Sequence, residues 1–264
     1  MVLVPPALTP FVTSLTPYDA SGEPGVHIGM PSTQLTLVLS VGDPLDVGWA
    51  DDPDSRRLLW GNVSGLHDAP AEIRHGRRQA GVCVGLSVAA ARPLLGMPAG
   101  EMARTLADVD DAAPTLRWLP ERLAEADRQD WAAVVVDTLT GALTARTAAE
   151  PRPEISRALR RLALGVPVAE VAGEVGYSRR HLGALVRAET GVSPKQWQRL
   201  ARFGRSHRLV RAGVPLAQVA AGCGYTDQAH LTREWVRLAG CGPAQWRRRE
   251  LPSVQDRTAN LGEG

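Results

Sequence analysis

The clearest pattern of hydrophobic positions is a pair of short amphipathic segments in the C-terminal part of the chain. In Val168–Glu174, and again in Arg179–Glu189, apolar residues recur every three or four positions, which is the spacing of one helix face. Between them, Gly176 suits a tight turn and Ser178 is a good N-cap for the second helix. The pattern therefore predicts two helices joined by a short turn. Their predicted buried residues are Val168, Val171, Ala172, Val175, Leu182, Leu185 and Val186.

The same arrangement occurs twice. Val166–Arg199 and Val214–Arg248 share V-P-x-A-x-V-A-x-x-x-G-Y, then H-L, then G-x-x-P-x-Q-W-x-R. The offset is 48 residues through the tyrosine and 49 from the histidine, so we assign the extra residue to Ala229 and the second cap to Thr226. Repetition of this length is typical of one supersecondary unit used twice. Because a helix-turn-helix places its second helix in the major groove of DNA, the repeat predicts a DNA-binding protein.

The exposed faces of the second helices, and the helix that follows the first unit, supply candidate contacts to DNA. Arginine can bond guanine bidentately and glutamine adenine, whereas cations near a helix N-terminus favour phosphate. Arg179 and Arg187 fit phosphate contact as well as base contact, and a salt bridge from Arg233 to Glu234 or Asp227 is an alternative for that residue. The candidate DNA-binding residues are Arg179, Arg180, Gly183, Ala184, Arg187, Lys195, Arg199, Gln228, His230, Thr232 and Arg233.

Two longer stretches carry a family resemblance. Residues 178–197 read S-R-R-H-L-G-A-L-V-R-A-E-T-G-V-S-P-K-Q-W, and residues 223–235 read C-G-Y-T-D-Q-A-H-L-T-R-E-W. Both closely resemble the DNA-binding domain of AraC/XylS-type transcription regulators. The resemblance covers residues 154–250 and implies an all-α domain with two helix-turn-helix units joined by a long helix, roughly Pro194–Val210. On that helix, Arg202, Arg205 and Arg208 are either further phosphate anchors or members of salt bridges.

The distribution of charge agrees with this division. Through Glu150 the chain has 11 Arg and no Lys against 19 acidic residues, a net charge of −8. From Pro151 onward it has 18 Arg and one Lys against nine acidic residues, a net charge of +10. A basic helical domain attracts DNA phosphates and gains affinity by releasing counterions. We therefore expect the C-terminal part, and not the acidic N-terminal part, to contact DNA.

Residues 1–148 combine strand and helix patterns. Predicted strands are Gln34–Val41, Arg56–Trp60, Ala71–His75 and Gly81–Val88, and predicted helices are Ala89–Leu95, Gly100–Ala107, Leu119–Ala126 and Trp131–Arg146. Strands followed by helices predict an α+β domain, and the order resembles the small β-barrel plus helices that precedes many AraC-type DNA-binding domains. The segment A-R-P-L-L-G-M-P-A-G-E-M at 91–102 resembles a subgroup of such regulators. The apolar stripe of the last helix either packs on its own barrel or pairs two chains.

The predicted fold class is thus multidomain, with a β-rich, barrel-like α+β N-terminal domain and an all-α C-terminal domain with two helix-turn-helix units. Residues 149–153 are the predicted linker and residues 251–264 a predicted disordered tail. We expect double-stranded DNA as the main partner. Further candidate partners are RNA polymerase, a small-molecule effector of unknown identity and a second copy of the chain. No cofactor or metal is expected. The N-terminus lacks the basic start of a signal peptide and no run of 18 apolar residues exists, so we expect a cytoplasmic protein.

The alternative function is a metal-dependent β-barrel enzyme fused to a DNA-targeting module. His27, His67 and His75 fall in the β-rich part, but no H-x-H or H-x-x-x-H spacing is present, so we expect ordinary surface residues. Cys83 lies in an apolar strand without a flanking base, which favours a core residue over a nucleophile. Three scattered cysteines do not form a disulfide framework. The sequence therefore favours a regulator, without enzymatic activity, over an enzyme.

Overall fold

The computed structural model describes residues 4–144 and 152–250, and its N-terminal half forms two antiparallel sheets. The strands are β1 (Val12–Ser21), β2 (Gly25–Gly29), β3 (Leu35–Ser40), β4 (Leu45–Trp49), β5 (Asp52–Leu59), β6 (Gly61–Ser64), β7 (Ala71–His75), β8 (Arg78–Leu86) and β9 (Leu106–Asp108). The first sheet has the order β1-β8-β3-β6-β9 and the second has the order β2-β7-β4-β5. This is the β-rich domain that the sequence predicts.

One face of the first sheet is apolar and packs against helices. These are α1 (Ala91–Leu95), α2 (Val109–Ala112), α3 (Leu119–Glu125) and α4 (Trp131–Thr144). Leu37 of β3 and its cross-strand partner Val84 are completely buried, and they join the cluster that contains Val135 and Leu139 of α4. Burying apolar area in this way is the main source of the domain's stability. Most of the apolar stripe of α4 therefore packs on its own domain and is not left free to pair two chains.

The C-terminal half is all-helical. Its helices are α5 (Pro153–Ala163), α6 (Val168–Glu174), α7 (Arg179–Thr190), α8 (Pro194–Arg211), α9 (Leu216–Cys223), α10 (Gln228–Ala239) and α11 (Pro243–Glu250). Helix α5 buries Ile155, Leu159 and Leu162 on one face, and it packs against α8. In the described ranges, none of the helices has the length and apolar character needed to span a lipid bilayer.

Several predicted elements differ from the structure. The predicted helix Gly100–Ala107 is wrong, because Ala99–Met102 is a single 3-10 turn and the chain then pairs with β6 as β9. Strands β1, β2, β4 and β6 were not predicted, and the predicted strand Arg56–Trp60 begins earlier, as Asp52–Leu59. Pro153, assigned to the linker, opens α5. The last two residues of the predicted helix Trp131–Arg146, linker residues 149–151 and the predicted tail 251–264 lie outside the described residues.

Candidate DNA interface

The first helix-turn-helix unit consists of α6, α7 and the turn at residues 175–178. Gly176 has a φ of +73°, a left-handed conformation that favours glycine. The side chain of Ser178 accepts a hydrogen bond of 3.2 Å from the backbone N–H of His181 and so caps α7, as predicted. Val171 and Leu182 are completely buried between the two helices. Local sequence therefore fixes the turn, and the apolar faces fix how the helices pack.

The second unit consists of α9 and α10, and its cap differs from the prediction. Gly224 ends α9 with a φ of +78°, but the side chain that caps α10 is Asp227, whose Oδ1 accepts a 2.6 Å bond from the N–H of His230. The predicted cap, Thr226, is instead the extra residue of the second copy and lies in the turn. Ala229 is an ordinary residue in the first turn of α10. Both second helices have 12 residues, so equivalent positions differ by 49, and Ala184 corresponds to Arg233.

Helix α8 joins the two units. Ser193 and Gln196 form a capping box at its start, with the side chain of each residue bonded to the backbone N–H of the other. Trp197 anchors this end, because its Nε1 donates a 2.9 Å hydrogen bond to the carbonyl of Leu159. The helix has 18 residues, one more than predicted, and at about 1.5 Å per residue it spans roughly 27 Å. One continuous helix therefore separates the two units.

The structure places the candidate contacts on the outer surfaces of the two units. The side chains of Arg179, Arg180, Ala184, Arg187 and Lys195 are exposed, and Gly183 and Arg199 are partly exposed. On α10, Gln228, Ala229, Thr232 and Arg233 line one surface depression. Within residues 4–144 and 152–250, none of these arginines, nor Lys195, takes part in an ion pair. Their charges are therefore available to a ligand outside the chain.

Two arginines of α8 have partners inside the domain. Arg202 binds the carboxylate of Glu234 bidentately, with N–O distances of 3.1 and 2.5 Å, and its guanidinium lies 4.8 Å from the centre of the Tyr225 ring. Arg205 donates to the backbone carbonyl of Ala163. Arg202 is therefore a salt-bridge residue and not a free phosphate anchor. Because Glu234 is bound in this way and Asp227 caps α10, neither acid forms the alternative salt bridge considered for Arg233.

The histidine repeated in both units has a structural contact that the sequence analysis missed. The ring of His181 meets Tyr177 edge-on at 4.8 Å, and the ring of His230 meets Tyr225 edge-on at 5.3 Å. Nδ1 of His230 also lies 3.2 Å from the hydroxyl of Thr226. The repeated G-Y and H-L pairs were the available signal. His230 therefore helps to hold the turn and offers DNA only the remaining edge of its ring.

The prediction that the N-terminal histidines are surface residues is wrong for His27 and His67, which are buried. The ring of His27 lies 5.0 Å from that of His75, and Nδ1 of His67 donates a 2.6 Å hydrogen bond to the carbonyl of Ala69. Burial lowers the pKa of both His27 and His67 to about 4. The pleat of β2 turns His27 inward, whereas His67 lies between β6 and β7 and its ring packs 4.6 Å from that of Trp49. Among the described residues, no three or more His, Cys, Asp or Glu side chains form a group that could hold a metal ion.

The cysteines lie where packing explains them. Cys223 and Cys241 are buried in the second unit, at the positions of Val175 and Val192 in the first. Burial raises the pKa of the Cys83 thiol to about 11, so this thiol stays protonated at neutral pH. That protonation state agrees with the prediction that Cys83 is not a nucleophile.

Similarity to known proteins lies in the C-terminal region and in the overall architecture. Residues 171–249 match the family model described as a helix-turn-helix domain. The crystal structure of ToxT from Vibrio cholerae has a TM-score of 0.52 and 10% identity, covering 88% of this chain and 96% of that chain. A structure of unsaturated fatty acid bound wild-type ToxT has a TM-score of 0.54 and 10% identity, covering 93% of this chain and 96% of that one.

The DNA-binding domain of AdpA, crystallised in complex with a target DNA, is 27% identical to this chain. The match covers 39% of this chain and 96% of the AdpA chain, with a TM-score of 0.35. Among curated proteins, none matches this chain. At 10% identity, the likeness to ToxT shows the fold, in which a β-rich domain precedes a helical one.

Proposed function

We propose that this chain, whose C-terminal region is an AraC-type helix-turn-helix domain, is a transcription regulator that recognises a bipartite DNA sequence under the control of its N-terminal domain. The observation that carries the proposal is the tandem pair of units, each with an exposed second helix. We call these helices, α7 and α10, the reading helices. The net charge of +10 from Pro151 onward supplies the attraction to phosphate.

The exposed residues divide between base reading and phosphate binding. Arg180 on α7, and Gln228 and Arg233 on α10, are suited to bases in the major groove. Lys195 and Arg199 lie at the start of α8, where the helix N-terminus also favours a phosphate. The small Gly183 and Ala184 let α7 approach the bases closely. With a joining helix of roughly 27 Å, the reading helices can enter successive major grooves about 34 Å apart.

Selection of bound sequences from a random DNA pool by the full-length protein tests this function. Equivalent positions of the reading helices differ, since Arg179 corresponds to Gln228 and Ala184 to Arg233. Different side chains read different bases, so each bound chain should select two dissimilar blocks whose centres lie about one helical turn apart. Selection of a single short block, or of a palindrome by one monomer, would contradict the proposal.

The inner face of the first sheet supports control by a small molecule. Nε2 of His27 on β2 lies 3.2 Å from Oε1 of Gln79 on β8, so Gln79 faces the second sheet. Side chains alternate along a strand and directly opposed residues share a face. Cys83 therefore faces inward with Gln79, and the strand register puts Val38 and Asn62 on the same face. The apolar residues between them face the helices.

This inner face is polar, which is unusual for a space between two sheets. Asn62 is only 1% exposed, yet its Oδ1 has no hydrogen-bond partner among the described residues, and the same is true of the buried Nε2 of Gln79. Each such group costs about 1–3 kcal/mol if it stays unpaired. Val38 lies on a central strand and is still partly accessible, so the sheets are not tightly packed here. The inward-facing polar residues are Thr16, Tyr18, Thr36, Ser40, Asn62, Ser64, Gln79, Cys83 and Asp108.

An effector that fits this surface is a small, neutral molecule with hydrogen-bond donors and acceptors. Asp108, opposite Asn62, is the charged member of this face, but it lies on the edge strand β9 and its carboxylate accepts a hydrogen bond from the backbone N–H of Asp110. The other inward-facing residues of the first sheet carry no formal charge, and His27 is neutral at physiological pH because burial lowers its pKa to about 4. A ToxT structure contains an unsaturated fatty acid. A long apolar chain would leave Asn62 and Gln79 unpaired, so we infer a different class of ligand for this protein.

A thermal-shift screen of the full-length protein tests the ligand class. A neutral polyol, sugar or amide should raise the unfolding temperature of the wild type, and Asn62→Leu should abolish the shift. Gln129→Ala, which removes an exposed amide elsewhere in the same domain, should not change it. Stabilisation by fatty acids, with none by the neutral polar panel, would contradict the inferred class and leave DNA recognition untouched.

A second copy of the chain is the proposed protein partner. The outer side of α4 carries Ala133, which is exposed, and Val136, which is partly exposed, beside the exposed Asp137. Trp131, Val135 and Leu139 pack inside the domain and do not contribute to this side. Two chains on a repeated site would bind more tightly than one. Sedimentation at micromolar concentration should show a dimer that Val136→Glu dissociates, and a monomeric wild type would remove this part of the proposal.

A further inference from the structure

The segment Arg92–Met102, which we call the docking segment, lies against the C-terminal end of α7. Its tightest contact is at Gly100, where a β-carbon would stand 2.6 Å from the carbonyl oxygen of Ala188 and 2.8 Å from the amide nitrogen of Gly191. Gly191 is the left-handed C-cap of α7, and a β-carbon there would stand 2.4 Å from Cβ of Ala103. Backbone therefore meets backbone, and neither position has room for a side chain.

An ion pair closes the same contact. The guanidinium of Arg92 binds the carboxylate of Glu189 on α7, with N–O distances of 2.8 and 3.4 Å. Glu189 is only 7% exposed, and a carboxylate at this depth requires a cation or hydrogen-bond donors. The hydrogen bond to Glu189 raises the pKa of Arg92, which therefore stays charged. The N-terminal domain thus supplies the charge that a buried residue of α7 needs.

The internal repeat shows that this contact is specific to the first unit. The equivalent of Glu189 in α10 is Leu238, which is 1% exposed and packs in the apolar core. The equivalent of Gly191 is Gly240, and a β-carbon there would find only Pro70 within reach, at 3.8 Å. The repeat thus departs from its apolar pattern where the docking segment reaches α7. The second unit has the same helix-turn-helix architecture with leucine here, so the architecture itself does not require an acid at this position.

We propose that Arg92 and Gly100 are positioning residues for DNA recognition, which hold the first reading helix in place through Glu189 and Gly191. The inference rests on the proposed function of α7. The docking segment touches the last turn of α7 and leaves Arg180 and Ala184 exposed on the first two turns. The carbonyl of Arg187, a candidate DNA contact, would lie 3.1 Å from a β-carbon at Gly100. Docking therefore supports the reading face and does not cover it.

Measurements of DNA affinity with the full-length protein test this role on three duplexes. These are the selected site, the site with its α7 block scrambled, and the site with its α10 block scrambled. Arg92→Ala and Gly100→Ala should each weaken binding about three- to tenfold on the first and third duplexes. They should have no effect on the second, where α7 makes no specific contact. The reversed pair Arg92→Glu with Glu189→Arg should restore much of the affinity.

Glu189→Leu is the matched control for folding, because leucine is the residue that the second unit carries. It should leave the unfolding temperature near that of the wild type and still cause the loss of affinity that depends on the α7 block. An equal loss on all three duplexes, or unchanged or tighter binding by Arg92→Ala to the selected site, would overturn the proposal. If scrambling the α7 block does not change the affinity of the wild-type protein, the proposed function itself is contradicted, before any variant is made.

Discussion

Replacing Arg233 with alanine tests whether α10 reads bases. The side chain is exposed and has no ion-pair partner in the described part of the chain, since Glu234 is bound to Arg202 and Asp227 caps the helix. Its loss should change the free energy of unfolding by no more than about 0.5 kcal/mol. Loss of a bidentate contact to guanine costs about 1–3 kcal/mol of binding, which raises Kd roughly 5- to 150-fold.

The assay is fluorescence anisotropy on the selected site and on random duplex at one salt concentration. Arg233→Ala should weaken binding to the selected site, leave binding to random DNA nearly unchanged and relax the preference at one base position. Arg237→Ala is the control, because Arg237 is exposed about one turn further along the same helix and its loss should affect both duplexes alike. An equal loss on both duplexes for Arg233→Ala would make that residue a phosphate anchor and refute base reading.

Three further predictions concern other parts of the chain. Arg202→Ala should lower the free energy of unfolding by about 3 kcal/mol in chemical denaturation, because it leaves the 8%-exposed carboxylate of Glu234 without its cation. A change below about 0.5 kcal/mol would contradict the structural role of Arg202. Burial lowers the pKa of His67, and of His207 on α8 beside the rings of Trp235 and Trp246, to about 4 in the folded protein, below the ordinary value of 6.5. The unfolded chain therefore takes up protons first. The contribution of these two histidines to stability should be constant above pH 6.5 and fall from there toward pH 4. A thermal midpoint that stays flat between pH 6.5 and pH 4 would count against burial of these rings. Lys195→Ala should reduce the slope of log affinity against log salt by about 0.9, and an unchanged slope would exclude a phosphate contact.

The helices of the two units could be predicted because their signals are local. Apolar spacing, the glycine of the turn and the cap all lie within one short stretch of chain. The prediction of the α10 cap was wrong because Thr226 and Asp227 are both good caps. Alignment of the two copies also places the extra residue equally well at either end of the first helical turn. The structure resolves this in favour of Asp227, with Tyr225 buried against His230.

The strands were harder to predict because the first sheet has a polar inner face. Only every second residue contacts the helices, so the four-residue β6 offers a single large apolar side chain, Val63. β1 contains Pro17, which normally argues against a strand but is tolerated here because β1 is an edge strand. The segment Gly100–Ala107 has helical spacing, yet tertiary contacts decide its structure. Gly100 meets α7, and Leu106 joins the second sheet's apolar cluster.

The candidate site was predictable in part for the same reason. Residues on the exposed faces of α7 and α10 follow from helical periodicity, and the structure leaves them on the surface. The partners of Arg202 and Arg205 did not follow, because Glu234 and Ala163 are distant in sequence. Arg92 was also missed, since a surface arginine in the N-terminal domain gives no sign that it meets a buried acid of α7.

The most direct test is a hydroxyl-radical footprint of the full-length protein on its selected site. Each bound chain should protect two patches on one face of the duplex, with centres about 34 Å apart. Arg180→Ala should weaken the patch of the first unit alone, and Arg233→Ala the patch of the second alone. A single protected patch, or two substitutions that weaken the same patch, would contradict recognition of DNA by two units in tandem.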